Sequence, residues 1–362
     1  MGNCGCKDNA GDRGQLEVNK KGDIADPHPE GETLESAAVR IQANYKGHQV
    51  RNKLNSTPND VDDTETDPSK HAPPASFATL IGQVPNYGNA NTLATAQKVG
   101  GFAYDCDDEA DVHLPHLGPY ELENSAVYIG QWRNGLRHGR GKQIWNDGSV
   151  YEGYWKNNMA NGRGRLIHAD GDVYEGNWLN DKAHGKGRYT HLDGTVYTGD
   201  WSDDKQNGEG VEVWLDGARY EGQFRNGKKE GRGRFTWADG SKYEGQFLNN
   251  NIQGRGVYEW ADGRRYDGEW ANNKMEGRGL FTWADKRSYE GEYLDDKKHG
   301  HGIFTWPDGR RYDGSWLNGR QHGRGAYIGN DNVRKEGEWA DGKRTRWLNH
   351  DGKGGDVEGI TE

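Results

Sequence analysis

From Tyr128 to Trp347 the chain sets rings, glycines and polar residues in a fixed alternation. In one stretch Tyr220, Gly222 and Phe224 interleave with Glu221 and Gln223. Successive side chains of a strand point to opposite faces, so this stretch predicts a strand with a ring-bearing face and a polar face. Asn226-Gly227 follows, a pair that tolerates positive φ and reverses a chain in two residues. Gly233, Phe235 and Trp237 alternate on a returning strand, with Trp237 expected among the buried rings, and Asp239-Gly240 predicts the next turn. The unit is one β-hairpin.

The unit recurs every 23 residues without insertion or deletion, from Tyr128 through Tyr151, Tyr174, Tyr197, Tyr220, Tyr243, Tyr266 and Tyr289 to Tyr312. A tenth start, Lys335–Trp339, keeps the phase with Lys in place of Tyr, and Gly118–Val127 reads as the second half of a degraded unit. Counted from the Tyr, position 3 is Gly and position 5 is aromatic in every start. Positions 12 and 14 are Gly, and position 20 is Asp, in every full unit. Alternation places the glycines at positions 3, 12 and 14 on the ring face, where they leave room for rings over bare backbone. The opposite face carries position 2, mostly Glu, and position 13, mostly Arg or Lys. The predicted fold is all-β: a single elongated sheet of nine to ten hairpins, roughly 85 Å long at the usual strand spacing.

These residues resemble the MORN repeat, with its YEGxWxxGxxHGxG pattern, and Tyr128–Gly141 fits it closely apart from Ile129. Lys286 and Asn332 replace the turn Gly, and Gly329 replaces the ring at position 18. The resemblance implies a sheet of hairpins that docks protein partners, with contacts only between neighbouring repeats.

Composition alone points elsewhere. A mean hydropathy of −1.16 and a net charge of −10 would suit a disordered chain, but 14 Trp and 56 Gly do not. The acidity lies outside the ring-bearing region. Residues 1–127 hold 10 Lys/Arg against 20 Asp/Glu, whereas residues 128–347 hold 36 against 33. That balance argues against a nucleic-acid binder. There is no apolar run long enough to span a membrane, no signal-peptide core, and only three Cys. An intracellular protein is expected.

Upstream the sequence divides into residues 1–32, a helix at 33–55, an acidic, Pro-containing linker at 56–117 and the array at 118–347, followed by a tail at 348–362. The chain opens Met-Gly-Asn-Cys-Gly-Cys-Lys. Gly2 meets the first requirement for myristoylation, and Cys4 and Cys6 stand where similar dually acylated N-termini carry palmitate. One acyl chain binds a membrane marginally, so two signals are needed for a stable anchor. The helix places Leu34, Ala38, Ile41, Tyr45 and His48 on one face. Within it Ile41-Gln42, Tyr45-Lys46-Gly47 and Arg51 resemble the IQ motif, which implies binding of calmodulin or an EF-hand light chain; a membrane-surface helix, or one docked on the array, is the other reading. Residues 77–104 are nearly uncharged, and their place is left open.

No catalytic signature appears, and neither an enzyme nor a cofactor is expected. The histidines at position 11 (His138, His184, His299 and His322) are too few in adjacent repeats to hold a metal. The Asp column fits turn chemistry. The basic column at position 13, Arg140, Arg163, Lys186, Arg232, Arg255, Arg278 and Arg324, is the candidate contact for phosphoinositide headgroups or partners. The expectation is a lipid-anchored scaffold on the cytoplasmic face of a membrane, at the cell cortex or in a cilium or flagellum. Its expected partners are cytoskeletal or axonemal proteins or a second copy of the chain. The alternatives are an axonemal component of the radial-spoke kind and a regulatory subunit of a phosphoinositide kinase.

Overall fold

A computed structural model of the chain describes residues 72–74, 76–105 and 113–348. Gly2, Cys4, Cys6 and the expected IQ helix with Ile41, Gln42, Tyr45, Lys46, Gly47 and Arg51 lie outside these residues. The described chain is all-β, with 22 strands in one open antiparallel sheet and one helix of ten residues. The described residues divide into two compact units, one up to residue 238 and one from residue 239 on.

The first unit shows how a repeat closes. Strands β5 (Val150–Lys156) and β6 (Met159–Ile167) are joined by Asn157-Asn158, at φ 49° and 69°. Two consecutive positive φ values make the primed turn whose twist suits a tight hairpin. Past the turn Trp155 pairs with Ala160, but the next pair is Gly153 with Gly164, so three residues on β6 face one on β5. Gly162 lies in this bulge at φ +88°. A left-handed residue breaks the alternation of faces. A Cβ at Gly162 would therefore point at Tyr154 on the polar face, 3.3 Å away, not among the rings. Position 12 thus belongs to the polar face, which corrects the sequence expectation. Only positions 3 and 14 clear space for the rings.

The bulge leaves ladder groups unpaired, and the next repeat takes them up. The Asp181 N–H donates to the Ala160 carbonyl at 3.0 Å, and the Ala160 N–H donates to Asp181 Oδ1 at 2.6 Å. The same two-way latch joins Ala183 to Asp204. Each hairpin turn is thereby tied to the one before it. The Asp column works locally, as its turn chemistry implies: Oδ1 of Asp147 and Asp193 accepts from the N–H two residues on, at 2.8 Å each.

Asp204 is 2% exposed. Burial pushes its carboxyl up to about 6, against the pull of the Ala183 N–H. The folded value lies above the ordinary 3.8, so its contribution to stability is fully present below 3.8 and is lost as pH rises through 6. At pH 7 the buried charge is a net penalty. Asparagine stands at this position in Asn158 and keeps the acceptor. Asp204→Asn is expected to stabilise the protein by roughly 1–2 kcal/mol at pH 7, with the gain shrinking toward pH 4, as read by urea unfolding at several pH values. A gain of equal size at pH 4 would contradict this account.

The ring face of this unit is an edge-to-face column. Tyr151 lies 5.0 Å from Trp155 and 5.2 Å from Trp178 of the next repeat, each close to perpendicular. Its hydroxyl donates to the Tyr154 carbonyl, while Trp178 Nε1 donates to the Gly164 carbonyl. Position 10 also faces the rings, which sequence reasoning missed because its occupants are mixed. There the Arg137 guanidinium lies 4.3 Å from the Trp155 ring, and the Lys229 ammonium pairs with buried Glu212 at 2.9 Å. Trp237, expected to be buried, is only half-buried. Burial at position 18 varies along the array, since Trp145 and Trp260 are 8% exposed; the most deeply buried rings lie at positions 1, 5 and 16, as Tyr151, Trp155 and Tyr189.

The second unit repeats this construction. Tyr243, Tyr266, Tyr289 and Tyr312 are fully buried, and edge-to-face contacts run from Tyr243 through Trp270 and from Tyr266 through Tyr293. The Asp296 N–H and Oδ1 latch Met275 as Asp181 does Ala160. Lys286 adopts φ +73°, so the missing turn glycine is absorbed in a left-handed lysine.

Candidate docking surface

The polar face of the first unit is already occupied. Residues 77–104 form a strap across its first repeats. Strand β1 (Ala78–Leu80) pairs antiparallel with β2 (His116–Leu122), extending the sheet beyond the repeats. Helix α1 (Ala90–Val99) follows. Alanine-rich sequence favours it, Asn89 caps it by accepting from the Thr92 N–H, and Gly100 ends it at φ +71°. The helix docks on the Asp-Gly turns. Asn89 Nδ2 donates to the carbonyls of Asp147 (3.1 Å) and Ala169 (2.9 Å), and Thr95 Oγ1 donates to the Gly171 carbonyl.

Beyond Gly100 the chain lies over the basic column. The Tyr104 ring meets Tyr154 edge to face at 5.4 Å, and the Arg140 guanidinium lies 5.1 Å from its centre. Phe102 lies 5.8 Å from the Arg163 guanidinium and 5.7 Å from that of Arg165. Asp105 pairs with Arg163 at 3.0 Å. Arg165, 4% exposed, donates to the Gly100 carbonyl at 2.7 Å and pairs with Glu152 at 2.8 Å. Burial pushes the Tyr104 hydroxyl up to about 12, with Glu152 adding to the effect. Burial also works against the charge of Glu152, but Lys142 and Arg165 outweigh it and hold the carboxyl below its usual range.

The seven basic residues of position 13 therefore differ in availability. Arg140 and Arg163 are covered by the strap. Lys186 is exposed but pairs with Asp200 at 2.6 Å. Arg232, Arg255, Arg278 and Arg324 are exposed, and Arg324 is 3.9 Å from Glu338. Two histidines of position 11 serve the inter-repeat latch: His138 Nδ1 accepts from the Asn157 N–H and His322 Nδ1 from the Asp341 N–H, the place Gln253 Oε1 takes for Asn272. Among the described residues no group of three or more His, Cys, Asp or Glu could hold a metal ion, and no helix is long and apolar enough to cross a membrane.

Beside the strap the polar face opens into a groove of about 510 Å³ over the third and fourth repeats, which begin at Tyr174 and Tyr197. Its floor is Gly187, Gly199 and Gly210, and its walls include Lys186, Arg188, Thr198 and Val211.

A single-sheet array of self-similar hairpins, latched turn to turn, is a repeat scaffold. The MORN repeat model matches nine stretches between residues 128 and 334, more than half of the chain, and the protein belongs to the MORN repeat family. MORN-repeat proteins are generally non-catalytic scaffolds. No curated protein matches the chain. Among solved structures it is similar to the TCP10 domain of Danio rerio CPAP, at 13% identity over 57% of this chain and 98% of that one, with a TM-score of 0.33. It is also similar to the TCP10c domain of Drosophila melanogaster Sas-4, at 12% identity over 48% of this chain and 90% of that one, with a TM-score of 0.23. At these scores the likenesses carry no argument.

Proposed function

We propose that this protein is a membrane-associated adaptor. Acyl chains on Gly2, Cys4 and Cys6 hold it to a membrane, the segment around Ile41, Gln42 and Arg51 recruits calmodulin or an EF-hand light chain, and the MORN sheet docks protein partners. One observation supports the docking role most directly: the polar face holds a short peptide, the strap, through aromatic, cationic and acidic side chains rather than through a hydrophobic core. A surface that holds one extended segment this way is suited to others. In the second unit the exposed arginines Arg255, Arg278 and Arg324 add cations that suit acidic partners or phosphoinositide headgroups, as Arg232 does in the first.

Two measurements test the reading. Gly2→Ala is expected to move the protein from the membrane to the soluble fraction, and Cys4→Ser with Cys6→Ser to weaken retention. Unchanged partitioning of both variants would remove the anchor from the proposal. Ile41→Asp is expected to abolish calmodulin binding, because it would place a charge in an apolar pocket, with Arg51→Ala weakening it less. Calorimetry with residues 30–56, with and without Ca²⁺, reads this directly. Absence of heat in both conditions would remove the light-chain partner.

A further inference from the structure

We propose that the groove over the third and fourth repeats is a docking site for an extended partner-protein segment that offers an aromatic side chain with a carboxylate close by. This rests on the scaffold reading and gives it a specific site. The strap supplies the evidence, because it fills the same kind of site twice in the adjoining repeats.

Each site is a notch. Position 14 of one repeat pairs with position 3 of the next, as Gly141 with Gly153, Gly164 with Gly176 and Gly187 with Gly199. Side chains at positions 3 and 14 would point to the ring face, so on the polar face each pair presents only backbone, a floor between the flanking side chains. Positions 13 and 15 wall it with cations: Arg140 and Lys142 at the first, Arg163 and Arg165 at the second, Lys186 and Arg188 at the third. Tyr104 occupies the first notch, its hydroxyl 3.5 Å from the Gly141 carbonyl and its ring near the Arg140 guanidinium. Phe102 occupies the second, near both of its arginines, and Asp105 neutralises Arg163. Ring faces attract guanidinium groups, and a carboxylate pairs with one in a fork, so an aromatic-acidic sequence matches these walls on both counts.

The third notch has the same floor and the same cationic walls. Lys186 is held by Asp200, but Arg188 is exposed and has no carboxylate partner among the described residues. The small side chains of Thr198 and Val211 leave room at the third site, where Glu152 and Arg165 stand at the first and Glu175 and Arg188 at the second. Glu175, across the strand pair from Arg188, is ion-paired with Arg163 at 3.1 Å, and on the far side stand Glu209 and Glu221. The occupant therefore sets its carboxylate toward Arg188 and keeps acidic groups away from the fourth repeat.

The test uses the full chain and a synthetic peptide of the strap sequence, Val-Gly-Gly-Phe-Ala-Tyr-Asp, with the Phe replaced by photoreactive benzoylphenylalanine. Illumination and mass spectrometry are expected to show saturable labelling of residues 186–211. Arg188→Glu and Thr198→Trp, both at exposed positions, are each expected to reduce labelling at least about fivefold while thermal unfolding stays unchanged. Replacing the peptide Asp by Lys should have a similar effect. Three results would overturn the proposal: no saturable labelling, labelling confined to the strap's own notches, or labelling indifferent to Arg188→Glu. None of these bears on membrane partitioning or calmodulin binding, so the adaptor reading and this site stand or fall separately.

Discussion

Tyr266→Ala is expected to destabilise its repeat by about 3–5 kcal/mol, the usual range for deleting a large buried aromatic. Tyr266 is fully buried. It lies 5.1 Å from both Trp270 and Tyr293, and its hydroxyl donates to the Glu269 carbonyl at 3.0 Å. Below it Gly268 and Gly279 carry no side chain that could move into the void, so the cavity stays open. Removing the ring also strips the edge contacts of two neighbours in the column. Tyr266→Phe keeps the ring and loses one hydrogen bond, and should cost about 1 kcal/mol. Hydrogen exchange is expected to localise the damage to the repeats beginning at Tyr243, Tyr266 and Tyr289, because contacts in the array are between neighbours. Equal loss of protection in every repeat of the unit would show a more cooperative core than the latches and rings describe.

Gly291→Ala should be nearly as damaging, for the opposite reason. A Cβ there would lie 2.6 Å from the Gly302 Cα, 2.6 Å from Tyr289 Oη and 2.7 Å from the His301 carbonyl oxygen. Two of those atoms are backbone of the paired strand, so relief requires the ladder itself to part. Overpacking a tight site costs about 1–3 kcal/mol, and this site belongs at the top of that range. Adding Tyr289→Phe removes the hydroxyl but neither backbone contact, so it should rescue little. Urea unfolding of the single and double variants measures this. Full rescue would show that the ring alone enforces glycine there, and that the strand spacing does not.

The hairpins were legible because their information is local. Tyr, Gly and ring at alternate positions, an Asn- or Asp-rich turn and an Asp-Gly turn each act within a few residues, and the 23-residue period repeats them unchanged. The error at position 12 arose from the same locality. Period two assumes every residue is extended, and a single left-handed residue such as Gly162 reverses which face its side chain would take. Position 10 was hidden by chemistry. Arg137, Ala160, Lys229 and Met275 share no polarity, yet all face the rings because the bulge returns the strand to register.

The basic column shows what pattern cannot supply. Its seven members are equivalent in sequence, and the strap makes them unequal by covering Arg140 and Arg163 while leaving Arg255 and Arg278 open. Nothing in residues 77–104 announces this. Phe102, Tyr104 and Asp105 become a docking segment only when set against Arg140, Arg163 and Arg165, tens of residues away in the chain. By itself, then, the sequence determined the all-β repeat array, its ring face and its turns, since these follow from the backbone preferences and alternation of adjacent residues. The tertiary structure alone decided which polar-face sites are filled and which are open, because occupancy depends on contacts between segments far apart in sequence, and these leave no local periodicity to read.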